Sequence, residues 1–518
     1  MRRWWGAVLG VCVWAGCSAE HGGGAVEAPA GEVAPAPEAP PSEAGDPVVE
    51  QEPPVGEPGD AGVPDEPTPP EACSGPDGTA RLAWSHDAAW DQSVDFRGTM
   101  DADGRTYWTE CDSAYWSDKD PSQLQCHLVS ATREGAIRFR LLLPRNGLTA
   151  VHAVDAEKLY LTSASTTLSA QSLEDGRELW SADLAKLRTE DPQEARSFLI
   201  DSVSLGSPYV LAVVRNTFGD EDGKTLLVAL RADTGAVAWT VLTPAVRTPV
   251  VLDAEGNVYG GSFDAAAGET TLFSYTREGR PRWQVRRVGE LQPSSVEGGR
   301  LVLGRAEVAD AATGATVATL ATTTMVDGYF SLGQSSSAYG RVAFQAGGSL
   351  FLPAPPCTGA GCPTELHPGR TFLYGLSPED GSPRWHRAVG AWPMSPLLTQ
   401  RDSLLLIDRP AAEGCEESNS CVGDDSSSDS FLRELAVDDG RELAACALPG
   451  RAPYITPPAL HEGRVVLGAW TNWLASNDWT RRMSIRAFDL SVSTGPATTG
   501  WVSAGGGNSR SGQATPRP

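Results

Sequence analysis

The residues best suited to chemistry in this chain are its cysteines. Beyond Cys12 and Cys17 there are eight: Cys73, Cys111, Cys126, Cys357, Cys362, Cys415, Cys421 and Cys446. Thiolate metal sites need short repeated spacings, and covalent haem needs C-x-x-C-H. Neither pattern occurs. Six of the eight instead form close couples, and an even count in an exported chain favours disulfides. The expected bridges are Cys111–Cys126, Cys357–Cys362 and Cys415–Cys421, which leaves Cys73 for Cys446. Rearranged pairs or free thiols are the alternative. Closing a loop of about 15 residues contributes roughly 3 kcal/mol when native strain is small.

Other reactive side chains give less. Asp424, Asp425 and Asp429 lie in a serine-rich stretch. Calcium takes six to eight oxygens in a fixed arrangement, and this spacing matches no calcium loop; a solvated loop is the simpler expectation. Asp101 and Asp103 before Gly104 read as a strand-joining turn. The seven histidines, His21, His86, His127, His152, His367, His386 and His461, show no metal-ligand or nucleophile–base spacing. No Gly-x-Ser-x-Gly and no phosphate loop is present. No catalytic residue and no metal site is assigned. The best candidate binding patch is Trp470, Trp473 and Trp479 with Arg481 and Arg482, because exposed tryptophan and arginine anchor protein and carbohydrate ligands. The competing expectation is that Trp470 packs between sheets and Trp473 and Trp479 cover a rim.

The elements that must position these residues repeat along the chain. A turn glycine, three residues and an apolar residue recur, most clearly in Gly176–Trp180, Gly235–Trp239, Gly279–Trp283 and Gly381–Trp385. Weaker copies run Gly135–Phe139, Gly314–Ala318 and Gly440–Ala444, with an irregular one near Gly495 and Trp501 beyond it. Each follows short β-rich runs. In 248–285 the expected strands are Thr248–Asp253, Asn257–Phe263, Thr271–Thr276 and a fourth carrying Trp283, joined by Asp/Gly turns. Such a meander leaves both faces partly apolar. Radial stacking buries them, with Trp180, Trp239, Trp283 and Trp385 as blade-packing side chains. The expected fold is all-β, a β-propeller of four-stranded antiparallel blades. Eight turn glycines predict eight blades; seven would also fit. Arg81–Ser85 is expected to supply the outer strand of the last blade and close the ring.

Spacings between turn glycines run from 35 to 67 residues. The longer ones carry insertions, mostly between second and third strands: 113–125, 216–224, 353–369, 410–430 and 471–481. In an up-down-up-down meander these emerge on one face, and loops on a rigid scaffold commonly carry function.

The repeated x-Gly-x-x-x-Trp, with Pro249-Val-Val-Leu-Asp-Ala-Glu-Gly-Asn-Val-Tyr259 upstream, resembles the pyrroloquinoline-quinone-type propeller repeat. The resemblance covers most of residues 79–503. The tail 501–512 also resembles a glycine-asparagine-arginine segment of that family. Active members stack the quinone on a vicinal disulfide and a tryptophan beside a carboxylate-held calcium ion. This chain has no adjacent cysteine pair, so no cofactor is expected, and calcium or pyrroloquinoline quinone stands only as the alternative.

The N-terminus resembles a lipoprotein signal. Met1-Arg2-Arg3 is positive, Trp4–Trp14 is apolar but too short to span a bilayer, and Val13-Trp14-Ala15-Gly16-Cys17 is similar to a lipobox. The resemblance implies cleavage after residue 16 and lipidation of Cys17 with the palmitate-type chains that stable anchoring needs. Residues 17–72 follow as a linker. From residue 18 onward it holds 13 prolines, 13 Asp or Glu and no Lys or Arg, a composition that stays extended and disordered. The propeller is expected at 73–503 and a Gly/Ser/Pro-rich tail at 504–518.

Residues 73–518 keep a net charge of −14 of the −25 overall, which argues against nucleic acid as a partner. The expected role is a non-catalytic, lipid-anchored cell-envelope module that binds envelope proteins, or a glycan or small ligand. In plan it resembles the lipoprotein subunit of the outer-membrane β-barrel assembly machinery. Ser18 after Cys17 implies the outer rather than the inner membrane. The alternative is an enzyme: a quinoprotein-like oxidoreductase or a carbohydrate-active propeller.

Overall fold

In the computed structural model, the described residues lie within 73–490 and exclude 74–78, 90–91, 113–124, 144–148, 164, 190, 192–196, 217–223, 245, 247–249, 265, 290, 305–306, 320–343, 347–348, 355–370, 378, 380–381, 390–395, 409–429, 450–455, 457 and 472–481.

Blade 4 illustrates how the sequence makes a blade. Its strands are Val251–Leu252, Val258–Asp264, Glu269–Tyr275 and Pro281–Val288, paired in that order and all antiparallel. The first is shorter than the Thr248–Asp253 run predicts. Asp253 has left the ladder: its N–H donates to the Asn257 carbonyl and its Oδ1 accepts from the Asn257 N–H, which closes the turn. Tyr259 on the second strand then donates its hydroxyl to Asp253 Oδ2 at 2.8 Å. The same clasp joins Tyr107 to Asp101 and Tyr160 to Asp155. Asp101 also accepts from the backbone N–H groups of Asp103 and Arg105, so Asp101–Gly104 is a turn of the same kind.

Among the described residues the strands form eight four-stranded sheets. Seven, blades 1 to 7 in chain order, are consecutive meanders, spanning 92–143, 150–183, 198–244, 251–288, 293–319, 344–389 and 397–447. The eighth takes three strands from 459–489 and its outer strand from Arg81–Asp87. That strand pairs antiparallel with Arg482–Asp489, from Arg81 opposite Asp489 to Asp87 opposite Ser484. The ring is thus closed by an N-terminal strand added to the C-terminal blade, as the sequence predicts. The single helical turn among these residues is Ala185–Leu187.

Neighbouring blades are joined by one repeated device. Trp180, Trp239, Trp283 and Trp385 sit on outer strands, and each indole donates to a carbonyl of the next blade: Ala232, Arg277, Ala311 and Val437, at 2.8–3.0 Å. The ring lies flat on that blade's turn glycine. At Gly279 (φ +79°) a Cβ would fall 2.6 Å from Trp239, and at Gly235 (φ +69°) 2.5 Å from Trp180. These positions therefore need glycine for both backbone sign and closeness. Trp84 on the closing strand repeats the device toward blade 1, donating to the Arg133 carbonyl at 2.9 Å and covering Gly135. Phe139 and Leu141 cover Gly176 where blade 1 lacks the tryptophan. Ala318 and Ala444 stand buried at the two other tryptophan-less positions. Apolar surfaces between blades, including the fully buried Trp108, Tyr160, Tyr259 and Phe488, complete the packing; each such side chain stabilises the fold by about 1.5–3 kcal/mol.

Candidate functional site

The five long connections all leave the end of a second strand and return to the start of a third. The second strands end at Asp112, Asn216, Ala354, Asp408 and Thr471, and the third strands begin at Cys126, Lys224, Thr371, Phe431 and Arg482. Strand direction alternates within every blade, so these ends share one face of the ring with the links between blades. The connections themselves fall outside the described residues, and with them Cys357, Cys362, Cys415, Cys421, Trp473, Trp479, Arg481, Asp424, Asp425 and Asp429. Cys17 and the tail after Leu490 also fall outside. Trp470 and Arg482 lie on the paired strands of blade 8, where Trp470 faces Met483 and Thr471 faces Arg482 in register.

Three of these connections leave from braced strand ends. In blade 1 the structure holds a Cys111–Cys126 disulfide across the second and third strands, with Cα atoms 4.0 Å apart. Beside it the Gln125 N–H donates to Asp112 Oδ2 and the Asp112 N–H to the Gln125 carbonyl, both at 2.8 Å. In blade 3 Arg215 Nε donates to Asp201 Oδ1 at 2.7 Å. In blade 7 Arg433 is clasped between Asp408 and Glu442, and Glu442 also takes Arg387 of blade 6 at 2.8 Å. The Asp408 side chain is 4% exposed, so removing Arg433 would leave a buried carboxylate uncompensated.

A second polar cluster lies at the seam between blades 8 and 1. Glu110, with its side chain 3% exposed, accepts from Trp108 Nε1 at 2.9 Å and Arg140 Nε at 3.2 Å, and bonds His86 Nε2 at 2.5 Å. Burial alone would raise its pKa. The bonds from His86, Trp108 and Arg140 outweigh that and hold it at about 2. On the first strands, Asp95 pairs with Arg97 at 3.0 Å. His152 bonds Thr162 Oγ1, and burial, with Arg97 nearby, keeps its pKa well below the ordinary range.

Residue types and spacing pointed to cysteine and tryptophan and passed over this ionic set. Glu110 and His86 lie 24 residues apart and meet only because the ring closes. Trp84 carried the one readable signal, an aromatic on an expected outer strand.

No described cluster of three or more His, Cys, Asp or Glu is placed to hold a metal ion. On the described first strands the carboxylates of Asp95 and Asp201 each pair with an arginine, and Glu297 is buried. No described helix is long and apolar enough to cross a membrane.

The chain is a β-propeller of pyrroloquinoline-quinone-like repeats. The family described as outer membrane protein assembly factor BamB matches residues 97–285, which are blades 1 to 4. Among solved structures, the chain is similar to BamB from Moraxella catarrhalis, at 13% identity over 79% of this chain and 100% of that one, with a TM-score of 0.44. It is also similar to the quinohemoprotein alcohol dehydrogenase ADHIIG from Pseudomonas putida HK5, at 14% identity over 80% of this chain and 76% of that one, with a TM-score of 0.46. A similar enzyme from Comamonas testosteroni matches at 13% identity over the same shares, with a TM-score of 0.45. No curated protein matches the chain.

Proposed function

We propose that this protein is a non-catalytic scaffold of the bacterial cell envelope, held to the outer membrane by lipid on Cys17, whose insertion face docks a partner protein. The observation that carries this reading is topological: five long connections, three of them beyond the matched region 97–285, leave and re-enter the ring on one face. The family match favours the assembly-scaffold reading over the enzymatic one. In the family's description the protein is an assembly factor, and a similar role here makes an envelope protein the partner.

The chemistry of that partner follows from charge. Residues 113–124, 217–223, 355–370, 409–429 and 472–481 hold thirteen Asp or Glu against four Lys or Arg. Aromatic residues Tyr115, Trp116, Phe218, Trp473 and Trp479 are interspersed. An acidic sequence with interspersed aromatic residues suits a basic partner, and opposite charge speeds encounter. Binding should therefore weaken as salt rises from low to physiological strength. Neutralising the run Asp220, Glu221 and Asp222 should slow association several-fold with little change in thermal stability. Unchanged association in that variant, measured by surface plasmon resonance with the purified partner, would count against this face.

A further inference from the structure

The closing strand Arg81–Asp87 is unlike every other outer strand. It is not continuous with its blade, and a single ladder of six register pairs holds it to Arg482–Asp489. A strand held this way frays from its free end. That end is tied down. Cys73 is bonded to Cys446 on the outer strand of blade 7, with Cα atoms 5.4 Å apart and a sequence separation of 373. Cys73 also bridges Leu490, Thr79 bridges Ala447, and the Ala80 N–H donates to the Ala447 carbonyl at 2.8 Å. The segment before the closing strand is therefore fastened to blade 7 while the strand itself completes blade 8.

We infer that Cys73–Cys446 is a thiol-sensitive latch on ring closure. Intact, it holds the start of the closing strand against blade 7 and keeps Arg81–Asp87 docked. Opened, it leaves the strand to its own ladder, the contacts of Thr79 and Ala80 with Ala447, and its seam contacts, Trp84 to Arg133 and His86 to Glu110.

The chemistry is ordinary thiol–disulfide exchange with a dithiol reductant. One thiolate of the dithiol attacks Cys73 Sγ, which is the less buried of the two sulfur positions, and forms a mixed disulfide while the Cys446 thiolate leaves. The second dithiol thiolate then displaces Cys73. The dithiol is oxidised to its disulfide, and both cysteines end as thiols after taking up two protons. Cys111–Cys126 is a built-in control. It joins two strands already paired side by side at Cys111 and Cys126, so opening it frees no strand end.

Amide hydrogen exchange on the full chain tests the latch. The folded protein is compared before and after brief dithiol treatment, and again as the C73S/C446S and C111S/C126S variants. The latch predicts that amides of 81–87 exchange at least about ten-fold faster after reduction and in C73S/C446S. Blades 2 to 5 should stay unchanged, and C111S/C126S should match the unmodified protein at 81–87. Equal acceleration in all blades, or no change at 81–87 once mass spectrometry shows Cys73 and Cys446 reduced, would overturn it. Reduction of the folded chain gives the answer even if the double variant does not fold.

Discussion

At the scale of single residues, Glu110 is a buried carboxylate at the centre of an ionic cluster. It is buried, charged and bonded by three donors from two blades. Removing a partner from a buried ionic cluster leaves an uncompensated charge. Removing the carboxylate instead strands His86, the Trp108 indole and Arg140. Glu110→Ala should cost about 3 kcal/mol in urea unfolding. The pH dependence follows from the direction of the shift. A carboxyl held at about 2 in the folded chain against an ordinary 4.5 binds its proton more readily when unfolded. Its contribution is full above about pH 4.5 and is lost as the pH falls toward about 2. Stability measured between pH 6 and pH 2.5 should drop less steeply in Glu110→Ala than in the natural protein; identical slopes would contradict the cluster. Tyr259→Phe is a smaller test. It removes one hydroxyl donor from Asp253 while Asn257 and the turn N–H remain, and should cost about 1 kcal/mol.

At the scale of elements, the tryptophan-on-glycine contact is the unit that repeats. Gly279→Ala combines an unfavourable φ of +79° with a Cβ 2.6 Å from the Trp239 ring. It should destabilise by about 2 kcal/mol or more, read by thermal melting and by a shift in tryptophan emission. The closing strand is the element most exposed to loss. Deleting residues 73–87 leaves the edge of Arg482–Asp489 open, and the truncated chain should self-associate on size-exclusion chromatography where the full chain does not.

The sequence made these elements legible because glycine, aspartate and tryptophan are each forced by local geometry. A positive-φ turn, a capped Asp turn and an indole reaching the next blade all leave marks within a few residues. Arg81–Ser85 was readable as a closing strand for the same reason. Long-range ionic contacts leave no such mark. Arg433 meets Asp408 across a connection of 22 residues, and its other partner Glu442 also takes Arg387 from the neighbouring blade. The Asp–Tyr clasp was legible in principle, at spacings of six, five and six residues, but its partners alternate between turn and strand and evade a search for apolar periodicity.

At the scale of the whole molecule, the eight described blades close into a ring, and its five long connections leave and return on one face, between second and third strands. The central claim is that this face binds a basic envelope protein. The most direct measurement is affinity purification of the full protein from its own envelope, at low and then high salt, beside a version with residues 409–429 replaced by a short glycine–serine turn. The account predicts a partner retained in stoichiometric amount at low salt, reduced at high salt, and lost or strongly reduced from the shortened version while that version still melts cooperatively. A partner retained equally by both versions, or no partner protein together with quinone-dependent dye reduction by the purified chain, would contradict it.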